Sequence, residues 1–149
     1  MRLWRLINPR HAPGLDGEGS RRIGGRWNSP GRPVVYTSDS PALAALELFV
    51  NLESDQRTLA GLPPVLLVCI DLDDGLIAHP SGLPTQYNDQ QRWGDDWLEQ
   101  GSDLAVAVPS VVIRWEDNVL LNPRHPDMEK VRLVSTDLFN FDPRLVDPS

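Results

Sequence analysis

The chain predicts a mixed, β-dominated α+β domain, and three observations carry that prediction. Fourteen prolines and eleven glycines among 149 residues cut the chain into short pieces, which favours short strands over a helical bundle. Several pieces alternate with period two, among them "RLWRLI" and "RPVVYTS". One segment, "SDSPALAALELFVNLE", opens with clear helix-start chemistry. The length suits a single domain over residues 1–149, and no internal repeat, low-complexity tract or interdomain linker divides it.

The elements follow in order. "RLWRLI" reads as the first strand, with Leu3, Arg5 and Ile7 on one face and Arg2, Trp4 and Leu6 on the other. "RPVVYTS" reads as the second, with Val34, Tyr36 and Ser38 sharing a face. In the helix, Ser40 is a good N-cap and Pro41 suits the first helical position. Leu43, Leu46, Phe49 and Val50 form an apolar stripe, and Glu47 sits about 40° round from Leu43 at its edge. Leu48 and Leu52 make the opposite side apolar too, so the helix is expected to be largely buried. "PPVLLVCIDL" and "SDLAVAVPS" read as strands buried on both faces. Short strands are expected at "VVIRW", "NVLLN" and "KVRLVS", and a shorter helix around "DQQRWGDDWLEQ".

Composition narrows the function classes. A formal net charge of −7 argues against a general nucleic-acid-binding surface. Charge is uneven, however: Arg2 to Arg32 holds seven arginines against Asp16 and Glu18 alone. A local cleft for an anionic small ligand fits that region, and so do ordinary solvated arginines. No run approaches a membrane span, and the N-terminus lacks an apolar core followed by a cleavage site. The single Cys69 excludes an internal disulfide and reads as a small core hydrophobe. A soluble cytoplasmic protein without membrane contact is expected.

Few motifs speak directly. "GGRWNSPG" lacks the GxxxxGK[ST] pattern, so its paired glycines fit either a phosphate-approaching loop or a plain tight connection. Trp27 fits a core anchor or a stacking platform; Asn28 fits a turn former or a ligand contact. Glu47 in an apolar helix needs a partner, whether an ion pair or a ligand. Arg5, on an aliphatic strand face, wants a bidentate anion. The two either pair with each other or flank one site. His11, His79 and His125 are scattered and no HExxH occurs, so no metal site is expected. Ser110 follows Pro109 without a GxSxG elbow, which speaks against a serine hydrolase.

A family resemblance adds to this reading. "LWR" at residues 3–5, "GGRWNSPGRPVVYTS", "ALAALE", "VPSVV" and "NVLLNPRHPDM" occur in register, closing on "FDPRL" at residues 141–145. Together they resemble the RES domain family, toxins of bacterial toxin–antitoxin pairs named for arginine, glutamate and serine. Met128 is a mild departure, standing where an aromatic is common after "HPD". The resemblance implies an ADP-ribosyltransferase-like split β-sandwich with flanking short helices, whose cleft takes NAD+. It implies Arg5, Tyr36 and Glu47 as the catalytic set, and Arg26, Trp27, Asn28, Ser110 and Asn122 as NAD+-binding residues. It implies no cofactor beyond NAD+ as substrate, and a cognate Xre-like antitoxin through which any DNA contact would pass.

Residue chemistry suits that implication. Cleaving the nicotinamide–ribose bond develops oxocarbenium character, which a nearby carboxylate stabilises. Arginines clamp a pyrophosphate by charge-assisted hydrogen bonds, and a tyrosine offers either a flat face for nicotinamide or a hydroxyl for the ribose. Three functions follow as expectations: a NAD+ glycohydrolase or phosphorylase that depletes NAD+, a mono-ADP-ribosyltransferase acting on a protein, or a non-enzymatic nucleotide-sensing or antitoxin-binding module.

Overall fold

Why the strands assemble as they do is set by where apolar side chains alternate. In a computed structural model, which describes residues 1–148, the strands are β1 (Arg2–Ile7), β2 (Val35–Ser38), β3 (Val65–Asp71), β4 (Ile77–Ala78), β5 (Ala105–Pro109), β6 (Asp117–Leu121) and β7 (Arg132–Phe139). The helices are α1 (Glu18–Ile23), α2 (Pro41–Val50) and α3 (Tyr87–Gln100). Among the described residues the strands form one sheet in the order β4-β5-β6-β2-β1-β3-β7. All neighbours are antiparallel except β4 and β5. The α+β expectation holds.

The sheet is split near its middle. β1 pairs with β3 along its whole length, from Arg2 opposite Asp71 to Ile7 opposite Leu66. Likewise β2 pairs fully with β6, from Val35 opposite Leu121 to Ser38 opposite Asn118. Yet β1 and β2 meet at one position only, Trp4 opposite Ser38. Beyond that pair, residues 5–7 and 35–37 form no ladder with each other, so a gap opens between two half-sheets.

Alternation sorts the core to the two faces. Leu3, Ile7, Val35, Val68, Ile70, Val119 and Leu121 pack together on one face, with Met128 and Val131 against them. On the other, Trp27, Val34, Val106, Val108 and Leu120 pack with Trp97 of α3. Cys69 is buried and free, as a small hydrophobe would be.

Helix α2 starts as its sequence directs: the Ser40 hydroxyl accepts from the Leu43 N–H at 3.0 Å, and Pro41 follows. Its burial differs from expectation. Leu43 and Ala44 are buried and Glu47 and Leu48 half-buried, but Leu46 and Val50 face solvent. The covered arc centres on Leu43, Ala44 and Glu47, because α2 lies over β1 and β2 on that side. The C-terminal segment covers the helix end, where Phe141 rests against Phe49 at 5.4 Å and Phe139 against Phe141 at 5.0 Å.

Two further differences have local causes. "VVIRW" is a loop, because the Ser110 hydroxyl accepts from the N–H groups of Val112 and Ile113, at 3.1 and 3.0 Å. Those donors are thereby unavailable to a ladder. Helix α1 and the two-residue β4 carry too few residues to display a period. No helix of the described residues is long and apolar enough to cross a membrane.

Candidate active site

Glu47 is the point from which the site is built. Helix α2 projects it toward the ends of β5 and β6, where its Oε1 accepts from the Ser110 hydroxyl and from Asn118 Nδ2, both at 2.7 Å. Asn118 is held from behind, since the Ser38 hydroxyl donates to its Oδ1 at 2.8 Å. No cation pairs with Glu47 among the described residues, and the expected alternative of an Arg5–Glu47 pair does not form. A carboxylate held by neutral donors keeps its negative charge available to a ligand.

Tyr36 and Arg26 form a second group on the same sheet face as Ser38 and Asn118. The Tyr36 hydroxyl donates to Asn28 Oδ1 at 2.6 Å and accepts from the Trp27 N–H at 3.0 Å. Its pKa is raised well above the ordinary phenol value, first by burial and then by nearby Tyr87 and Asp95. That hydroxyl is therefore spent inside the protein, leaving the ring as the available feature. Arg26 donates from Nη1 to Gln90 Oε1 at 3.0 Å and lies 5.2 Å from the Tyr87 ring centroid.

The glycine-rich loop is fastened to α3. Gln91 Nε2 donates to the carbonyls of Gly25 and Asn28, both at 3.1 Å, and the Ser29 N–H donates to Asp95 at 2.8 Å. Between them lies Gly94, where a Cβ would fall 1.7 Å from the Trp27 carbonyl oxygen. Gly25 is constrained less severely, since a Cβ there would meet the Tyr36 hydroxyl at 2.7 Å. These glycines allow backbone and ring to touch; no phosphate cradle is needed to explain them.

Arg5 stands at the split. Its side chain leaves β1 on the face of Leu3 and Ile7, opposite Val68, beside the gap between residues 5–7 and 35–37. Nε and Nη1 are buried with no hydrogen-bond partner. Burial pushes the guanidinium down to about 10, with Asp16 opposing. No hydrogen bond or ion pair joins Arg5 to Glu47, Tyr36 or Arg26.

The family profile described as "RES domain" matches residues 2–142. The chain belongs to the RES domain family. A relative in Yersinia enterocolitica, named Toxin Res, is 34% identical over 155 residues, covering 97% of this chain and 99% of its own. A Sphingobium relative, named Prs ADP-ribosylating toxin, is 32% identical and covers 96% and 95% respectively. Among solved structures, the M. tuberculosis MbcT–MbcA toxin–antitoxin complex aligns with a TM-score of 0.72 at 20% identity. That alignment covers 97% of this chain and 85% of the other, and shows a shared fold.

Within this RES domain the expected residues divide. Glu47 and Ser110 are joined directly, and Arg26 and Tyr36 share their face of the sheet. Trp27 and Asn28 are placed in the packing behind that face: Trp27 is 3% exposed, edge-on to Trp93 at 5.7 Å. Asn28 is 0% exposed, and its Nδ2 donates to the carbonyls of Ser20 and Arg32, at 3.0 and 2.8 Å. Asn122 stands apart from Glu47, buried just past the far end of β6, its Nδ2 donating to Leu98 O at 3.3 Å and its Oδ1 accepting from the Arg124 N–H at 3.1 Å.

Sequence reasoning missed Ser38 and Asn118, and the clamp of Gln90, Gln91, Gly94 and Asp95. A signal existed for Asn118. It opens the apolar run "NVLL", whose next three residues are buried, and a polar amide leading into such a run needs a partner.

Proposed function

We propose that this RES domain is the toxin of a toxin–antitoxin pair and cleaves NAD+ at the nicotinamide–ribose bond, transferring ADP-ribose to water or phosphate. The observation that carries the proposal is the Glu47 carboxylate, half-buried and held through one oxygen by Ser110 and Asn118 with no cation beside it. As the glycosidic bond breaks, nicotinamide leaves neutral and the anomeric carbon becomes electron-poor. A fixed, uncompensated carboxylate stabilises that charge more in the transition state than in the ground state.

The remaining residues take roles around it. Arg5, with two buried N–H-bearing nitrogens unpartnered at the split, is the anion clamp for the pyrophosphate. Arg26, tethered to Gln90 and stacked near Tyr87, is a second cation for the same ligand, on the Tyr36 face of the sheet. Tyr36 supplies its ring face to the nicotinamide, since its hydroxyl is already engaged. NAD+ is the substrate, and no further cofactor enters. A cognate antitoxin with an Xre-like DNA-binding part neutralises the toxin by covering this site, in the cytoplasm.

The test is nicotinamide release from NAD+ by the purified chain, with and without phosphate, analysed for ADP-ribose and its phosphorylated product. Glu47→Gln keeps an acceptor for Ser110 and Asn118 but removes the charge, and is expected to lower turnover by at least about 100-fold. Failure of the wild-type chain to release nicotinamide defeats the proposal. A second reading has its own support in the name of the Sphingobium relative, Prs ADP-ribosylating toxin: the acceptor is a protein. Labelled NAD+ then marks one band in a lysate while bulk NAD+ persists.

A further inference from the structure

The hydrogen bonds around Glu47 have a direction, and that direction assigns a role to a residue outside the expected set. Ser110 receives two backbone N–H groups on its hydroxyl oxygen, from Val112 and Ile113, so its own proton is left for Glu47. Asn118 receives the Ser38 hydroxyl on Oδ1, which turns its Nδ2 toward Glu47. Both donors converge on the same oxygen, Oε1, and no hydrogen bond within the described protein reaches Oε2. The plane of the carboxylate is thereby fixed, with one oxygen saturated and the other unspent.

We propose that Asn118, backed by Ser38, is a positioning residue that saturates one oxygen of Glu47 so that the other is presented to the reacting sugar. The kinetic consequence rests on the NAD+-cleaving function proposed above; the positioning itself does not. The arrangement draws on four segments, α2, β2, β6 and the end of β5, so the carboxylate is aimed by the sheet rather than by its own helix. Other ionisable groups on neighbouring elements are engaged elsewhere or lie apart. Glu116 accepts from the Ser40 hydroxyl at 3.0 Å, and Asp39 accepts from the Asp117 N–H at 3.3 Å. His79 lies on the Asp117 side, Arg57 donates to Val50 O at 2.9 Å, and Arg5 stands on the other face of β1.

Asn118→Asp is the decisive variant, because it keeps shape and the acceptor for Ser38 while replacing the donor to Glu47 by an acceptor. Two carboxyl oxygens then face each other at hydrogen-bond distance and must share a proton. While that proton is held, the new carboxylic acid donates to Glu47 as the amide did; once it is lost, the two anions repel and the geometry fails. The expected result is a new alkaline limb: nicotinamide release by Asn118→Asp falls at least about tenfold between roughly pH 5.5 and 8.5, while the wild type keeps its rate. Carbon-13 carboxyl titration of the ligand-free variant is expected to show a coupled two-step pair with its upper step well above the ordinary carboxylate range. Ser38→Ala frees the amide to turn and is expected to lower kcat about three- to tenfold with KM unchanged.

An Asn118→Asp profile of wild-type shape together with uncoupled carboxyl titrations overturns the proposal, and so does a Ser38→Ala variant with unchanged kcat. Should wild-type protein release no nicotinamide, the NAD+ reading fails alone; the titration of the ligand-free variant still decides whether Asn118 positions Glu47.

Discussion

Arg5→Met is expected to stabilise the free protein while weakening its grip on an anion. In the folded chain the guanidinium is charged at neutral pH, yet Nε and Nη1 are buried without partners. Its depression from the ordinary guanidinium value to about 10 corresponds to roughly 3 kcal/mol of unfavourable burial at ~1.4 kcal/mol per pKa unit. The sign follows from linkage: a base with a lowered folded pKa carries its penalty in full below about 10, and sheds it only as pH climbs toward the unfolded guanidinium value. Mutation at pH 7 is therefore the practical probe. Methionine keeps most of the apolar stem and removes the charge. Part of the side chain still meets water and Asp16 returns some attraction, so the net gain is set at about 1–2 kcal/mol, or roughly 3–6 °C in Tm for a chain of this size.

The assay has two arms. Thermal unfolding at pH 7 without ligand is expected to show Arg5→Met above wild type. With added pyrophosphate or ADP-ribose, wild type is expected to rise and Arg5→Met to stay level, since stabilisation by a ligand follows its affinity for the folded state. A ligand-free Arg5→Met variant that melts below wild type refutes the idea that this guanidinium waits for an anion. It would mean that its packing outweighs its missing hydrogen bonds.

Other substitutions probe the scaffold. Gly94→Ala places a methyl against the Trp27 carbonyl, 1.7 Å away and backbone; a loss of about 3 kcal/mol is expected in denaturant unfolding, with a raised KM for NAD+ as Arg26 loses register with Gln90. Tyr36→Phe leaves the Trp27 N–H and Asn28 Oδ1 without partners; about 2 kcal/mol of stability is expected to go, with kcat kept within a few-fold. A large fall in kcat at unchanged Tm would instead put the hydroxyl on the substrate. Asp117 has a raised pKa, first from burial and then from Asp39, with His79 opposing. Its ionised form is thus penalised at neutral pH, and the penalty disappears as pH falls below the unfolded value. Asp117→Asn is expected to gain a few tenths of a kcal/mol at pH 7 after solvent screening, read as a small Tm increase that vanishes near pH 3.

How much of this was legible follows from the range of the interactions. β1 and β2 were visible because period-two alternation is local, β3 and β5 because a short unbroken apolar run is local too, and the start of α2 because Ser40 caps within three residues. "VVIRW" misled because its composition favours a strand, while one upstream hydroxyl removes two of its donors. Glu47 was marked as needing a partner, but its partners stand 63 and 71 residues away, and no local pattern announces them. Asn28 shows the harder ambiguity. The same amide that can bind a ligand can lock a loop, and only the positions of Ser20, Arg32 and Tyr36 decide that it does the second.

The separation of charges ties the site to its proposed chemistry. A guanidinium beside Glu47 would neutralise it and leave little field for a developing cation. Instead the fold spends neutral donors on the carboxylate and keeps both arginines elsewhere, Arg26 bound to Gln90 and Arg5 across the split. Neutral donors satisfy one carboxylate oxygen without cancelling its charge, so the helix can be folded and the acid still unspent. The stability such an arrangement forgoes at Arg5 is recovered only when an anion arrives.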